Sequence, residues 1–220
     1  MLNFKKNTLL ILGLSLFISP KIFGQAAQTP FSYLGIGEYY GNALAHNQGM
    51  AGVGISNPQY FYLNNQNPAL LVFNRFTSFE AGFIGERRTV IGNGVSETNG
   101  NANLNYLIMG FPIKVGRWAT SLGLAPYTTV NYRLNYTDSI LGSANTVDVI
   151  ESGSGGINQF AWSHGVSLNK NLSLGVKAAY LFSSIENEYS NSLTQSAQAV
   201  TYYPTVYERT YVKDFLFTSG

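Results

Sequence analysis

The chain has 220 residues, with 13 Lys and Arg against 11 Asp and Glu, for a net charge of +2. Charged residues make up only 11%, against about 25% in an ordinary soluble domain, while aromatics reach 14% and Gly contributes 23 residues. This balance excludes a disordered chain, a coiled coil and a basic nucleic-acid-binding face. The absence of Cys excludes disulfides, thiolate metal sites and Cys nucleophiles. Neutral, aromatic, Gly-rich chains with few charges have the composition of membrane β-barrels.

Lys5 and Lys6 precede an apolar stretch from Leu9 to Ile18, followed by Ser19-Pro20 and then Gly24. The pattern predicts a secretory signal peptide over 1–24, cut after Gly24 or, as second choice, after Ala27. The stretch falls short of the ~20 residues of a spanning helix. A mature chain in a membrane must then cross it with strands, because only helices and closed barrels satisfy backbone groups in lipid. Secretion with this composition implies the bacterial outer membrane and contact with its lipid.

Residues 25–75 differ in character from the rest of the mature chain. Gly and Ala recur from Gly35 to Gly54 with no sustained alternation. From Phe76 onward, alternating segments divided by Gly and Asn clusters predict strands near 76–90, 101–115, 117–135, 157–168, 171–185 and 206–220. The clearest flank Asn169-Lys170-Asn171. Leu172, Leu174, Val176 and Tyr180 share one parity, the expected lipid face, and Ser173, Gly175 and Lys177 the other, the expected lumen face. A soluble sandwich also alternates. In the third segment, Leu122, Leu124, Val130, Tyr132 and Leu134 are expected toward lipid, with Ser121, Gly123, Tyr127, Asn131 and Arg133 inward. Polar stretches at 138–158 and 186–203 are expected as long loops alternating with short turns. Leu107 to Met109 is apolar on both faces, as expected where something fills the lumen. Six strands enclose no useful lumen, so residues 76–220 are expected to be the N-terminal part of a larger all-β transmembrane antiparallel barrel.

Little points to catalysis. Ser163 and His164 are adjacent on a strand and point to opposite faces, so they cannot form a nucleophile–base pair with each other. No catalytic residue, metal site or cofactor is expected, and no nucleic-acid partner. His46 falls in the N-terminal segment and His164 on the wall. Glu86-Arg87-Arg88 is expected as a solvated cluster at a strand end. Arg133 and Lys177, both on expected lumen positions, are the candidate contacts for a ligand carboxylate. Their alternative partner is a carboxylate of the N-terminal segment such as Glu38.

Asn42 to Ile55, with its run of small residues, leads on to Asn67-Pro68-Ala69 one short step before the first strand. Farther along stand the segment Gly153 to Ile157 and the pair of strands around Asn169-Lys170-Asn171. This arrangement resembles the outer-membrane long-chain fatty acid transporter family, particularly its Bacteroidetes-type branch. The resemblance implies a fourteen-stranded barrel with residues 25–75 as a hatch in its lumen, leaving through Asn67, Pro68 and Ala69. It implies passage of hydrophobic small-molecule cargo such as long-chain fatty acids. A structural or escort barrel contacting type IX secretion-system proteins is the alternative, and a general porin a further one.

Overall fold

The computed structural model describes residues 27–92, 94–139, 146–192 and 204–220. The expected signal peptide over 1–24 lies outside the described residues. Eight strands form one antiparallel sheet: β1 (Glu38–Tyr39), β2 (Ser78–Gly92), β3 (Val95–Lys114), β4 (Trp118–Ser139), β5 (Thr146–Ser167), β6 (Ser173–Ser192), β7 (Thr205–Thr210) and β8 (Lys213–Ser219). The order is β2-β3-β4-β5-β6-β7, with β8 also on β6 and β1 on β4. β7 and β8 pair with successive stretches of β6 and make a single pass interrupted at Tyr211-Val212. Among the described residues, β2 to β8 therefore make six passes through the sheet, against the six strands expected from alternation. The sheet is open, with β2 at one edge and β7–β8 at the other.

The strands run farther than their apolar residues indicate. β4 and β5 hold 22 residues each, about twice the 9–11 that a membrane-crossing strand needs. Thr146 to Ile157 and Glu186 to Ser192, expected within loops, pair in register as strand. Backbone hydrogen bonds are indifferent to side-chain polarity, so polar Asp148, Ser152 and Glu188 continue a ladder that their composition conceals.

The two faces differ. Residues 27–76 lie against one face, and among the described residues no element covers the other, the bare face. Leu122, Leu124, Phe160, Trp162, Leu174 and Val176 are exposed on the bare face near the short β3–β4 and β5–β6 turns. Toward the opposite, loop end that face turns polar. Ser121, Gln159, Ala161, Ser163, Lys177 and Ala179 are buried on the covered face. The parity assigned to Leu174, Val176 and Lys177 on β6 from sequence is the parity observed.

β4 departs from it. Its register with β5 shifts between Pro126 and Thr128, leaving Tyr127 as the extra residue of a bulge. One inserted residue exchanges the faces of everything beyond it. Val130, Tyr132 and Leu134 are thereby on the covered face, where they pack with Ile185, and not toward lipid. Arg133 is on the bare face and exposed, which corrects its expected lumen position. Opposite the bulge, Gly155 and Gly156 adopt φ +111° and +142°. A side chain there would collide with the Ser184 and Thr128 carbonyls, respectively.

Candidate functional site

The built feature is the interface between the N-terminal segment and the covered face. Residues 27–76 contain two 3-10 turns (Pro30–Tyr33 and Pro68–Phe73) and one helical turn, α1 (Ala45–Gln48). So little regular structure leaves many backbone groups needing partners. Asn side chains supply them locally. Asn64 Nδ2 donates to the Gly54 carbonyl (2.6 Å), and its Oδ1 accepts from the N–H groups of Gln66 and Asn67.

Each of the five long wall strands contributes at least one polar anchor. On β2 a Glu80 carboxylate oxygen accepts from the Leu63 N–H (2.6 Å). On β3 the Tyr106 hydroxyl accepts from the Ala45 N–H (3.1 Å). Thr128 Oγ1 on β4 donates to the Ile36 carbonyl (2.7 Å). On β5, Gln159 Nε2 donates to Asn42 Oδ1 (3.0 Å). Lys177 Nζ on β6 donates to the Asn65 carbonyl (2.9 Å). Between the anchors, Leu44, Leu63 and Leu71 pack on Tyr106, Ile108 and Ala119.

Asn67, Pro68 and Ala69 sit where the segment meets β5, β6 and β8. Asn67 Oδ1 caps the Pro68 turn by accepting from the Ala69 N–H (3.0 Å), and its Nδ2 donates to the Ile55 carbonyl (2.8 Å). Pro68 supplies the fixed φ suited to a first helical position. Glycines on the wall receive the turn: a Cβ at Gly165 would lie 2.6 Å from the Pro68 carbonyl oxygen, and one at Gly175 would strike the backbone of Pro68 and Ala69.

The two cations chosen from sequence are not brought together. Lys177 is buried at 1% exposure beneath the segment, and its partner is the Asn65 carbonyl instead of Glu38. Arg133 lies on the opposite face. Glu38 pairs instead with Arg88, at 2.5 Å, and Arg88 also holds Glu86 at 2.9 Å. Arg88 is thus a bridge to the N-terminal segment and not part of a solvated strand end. Tyr40 donates its hydroxyl to Glu86 (3.0 Å). Here, toward the loop end and beyond the apolar belt, burial and the Glu86 carboxylate push the Tyr40 hydroxyl well above the usual phenol range. Glu80, Tyr106 and Gln159 are anchor positions that the sequence does not single out. Their signal is polarity at covered-face positions of otherwise apolar strands.

Ser163 is buried on the covered face, while the His164 ring sits 4.8 Å from Trp162 on the bare one. No group of three or more His, Asp or Glu among the described residues could hold a metal ion. The cavity lined by Leu44, Tyr106, Ile108, Leu124 and Ala161 measures about 10 Å³, room for roughly one water.

The model of the BamG family matches residues 4–220. No curated protein and no solved structure matches the chain. The match overturns the resemblance to the long-chain fatty acid transporter family drawn from Asn42 to Ile55 and from Asn67-Pro68-Ala69. Those residues perform a general task, turning a small-residue segment into a wall strand, and do not mark one family. With the match covering nearly its whole length, the chain belongs to the BamG family.

Proposed function

We propose that this protein is a plugged outer-membrane β-barrel that serves outer-membrane biogenesis as a structural and interaction subunit. The BamG family is associated with the bacterial outer membrane and its BAM machinery. The apolar belt of the bare face is the lipid-facing wall, and further strands close the barrel from the β2 edge to the β7–β8 edge. An open edge in lipid would leave backbone groups unsatisfied at several kcal/mol each. Residues 27–76 then occupy the lumen.

The observation that carries the reading is the set of five anchors on five successive strands. They fix the segment to the wall, and the cavity between them at Leu44 and Tyr106 measures about 10 Å³, too small for an acyl chain. A fixed plug suits a partner-binding barrel better than a conduit. The test is affinity purification of the tagged full-length protein from outer membranes in mild detergent. Co-purification with BAM components, and a drop in other outer-membrane barrels on depletion, are expected. Purification alone, unchanged barrel levels and loss of labelled fatty acid uptake would instead favour transport of hydrophobic compounds.

A further inference from the structure

The charges of the wall are sorted along its strands. Residues 98–137 and 152–185, which contain the β3–β4 and β5–β6 turns, hold no Asp or Glu. Glu97, Asp138, Asp148 and Glu186 stand toward the opposite ends of the same strands. Lys114, Arg117 and Lys170 are exposed at the turn end, and none of them joins an ion pair among the described residues. Arg75, a further cation near this end, lies over the Tyr60 ring at 4.8 Å. The two turns are tied together: the Ser167 N–H donates to the Arg117 carbonyl (2.8 Å), and Ser167 Oγ to the Asn169 carbonyl (2.8 Å). Arg117 and Lys170 therefore stand on adjoining turns. Lys114 pairs in register with Trp118, so the two side chains leave the sheet on one face. That is the bare face, where Thr120–His164 and Leu122–Trp162 are the next rungs. The His164 ring lies 6.4 Å from Trp118 and 4.8 Å from Trp162. The Trp162 indole N–H donates to Thr120 Oγ1 at 3.0 Å.

From this arrangement we infer that Lys114, Arg117 and Lys170 form a docking surface for the headgroup phosphate of an anionic phospholipid, whose acyl chains lie on the Trp118 and Trp162 rings. The inference rests on the proposed outer-membrane barrel, in which short turns face the periplasm and so the phospholipid leaflet. Charge selects the headgroup. Three cations stand together with no carboxylate to answer them, and a phosphate accepts charge-assisted hydrogen bonds from Lys and Arg. Apolarity selects the tails. The cations adjoin exposed Leu122, Leu174 and Val176, so the surface passes from charged to apolar within a few rungs, as a lipid does. Long cationic side chains at such a boundary lay their stems on apolar surface and keep their heads at the polar level. Trp rings with one polar edge prefer the same depth. An acidic protein segment would meet the cations but would leave the rings and the belt unused.

Trp118 and Trp162 are the two Trp of the 220 residues, and both lie in this surface, so quenching of their fluorescence reports the lipid beside them. The full-length protein is reconstituted in phosphatidylcholine vesicles that carry a small share of brominated phosphatidylglycerol. A parallel sample carries the same share of brominated phosphatidylcholine. The signal of a variant with Trp118→Phe and Trp162→Phe is subtracted from each. Phosphatidylglycerol should be preferred about fivefold, which corresponds to about 1 kcal/mol, and less so at high salt. The preference should fall with Lys114→Gln and reach parity when Arg117→Gln and Lys170→Gln are added. Arg87→Gln, exposed toward the loop end of β2, should leave it unchanged. Equal quenching by the two lipids, or an equal loss with Arg87→Gln, would overturn the inference, assign the cations to an acidic protein segment and leave the lipid-facing barrel standing. Quenching by neither lipid would sink the barrel reading itself, and the inference with it.

Discussion

The ammonium of Lys177 on β6 donates to the backbone carbonyl of Asn65, 112 residues away in sequence, at 2.9 Å. A cation at 1% exposure is costly unless its donors are met. Lys177→Met keeps the chain length and removes the bond. It should loosen Asn64 to Asn67, raising amide exchange there, and cost about 1.5–3 kcal/mol as the loss of a charged hydrogen bond. Unchanged exchange would mean that the neighbouring glycine contacts alone seat the turn.

Those contacts give the second expectation. Gly175→Val places a side chain against the backbone of Pro68 and Ala69, which cannot yield as a flexible side chain does. Overpacking of this kind costs about 1–3 kcal/mol. Limited proteolysis should find residues 63–73 newly cleavable while the wall strands stay protected. Equal sensitivity of segment and wall would point to global unfolding.

The faces of β6 can be tested directly. Leu174 is 52% exposed on the bare face, and Ser173 is its neighbour on the covered parity. Leu174→Arg should cost roughly 2–4 kcal/mol in a bilayer and Ser173→Arg much less. Equal penalties, measured by folding into vesicles, would argue against lipid on the bare face.

Acid should loosen the N-terminal segment. His46 stacks on Tyr62 at 5.1 Å, and burial lowers its pKa. The folded state then favours the neutral ring. Stability is complete above the unfolded value of about 6.5 and is lost as pH falls through the lower folded value. Amide exchange in 44–50 should therefore rise between pH 7.5 and 5, and His46→Phe should flatten that dependence.

Much of this architecture is legible in the residues. Six passes emerge from the spacing of turn clusters, and the parity of β6 from alternation at Leu172 to Phe182. What escapes has physical causes. Above the apolar belt both faces of the strands are polar or mixed, so Thr146 to Ile157 carries no period to mark it as strand. The anchors Glu80, Tyr106 and Gln159 each satisfy a backbone or amide group that only the folded segment brings near. The sequence misplaces Arg133 because a bulge has no composition of its own. It misleads about the family because Asn67-Pro68-Ala69 encodes a cap and a turn, which any segment entering a wall strand can use.

The bulge at Tyr127 is a frameshift in space. Below it, Leu122 and Leu124 point to the bare face; above it, Val130 and Tyr132 point to the covered one. The two sets occupy different levels of the sheet, and the extra residue lets one strand keep an apolar outside where the belt lies and an apolar inside where Tyr33 and Ile185 wait. Were Tyr127 taken into the ladder as an ordinary strand residue, with the amino-acid order unchanged, Tyr132 would turn out and Arg133 in. The N-terminal segment would then meet a guanidinium where it now meets a ring.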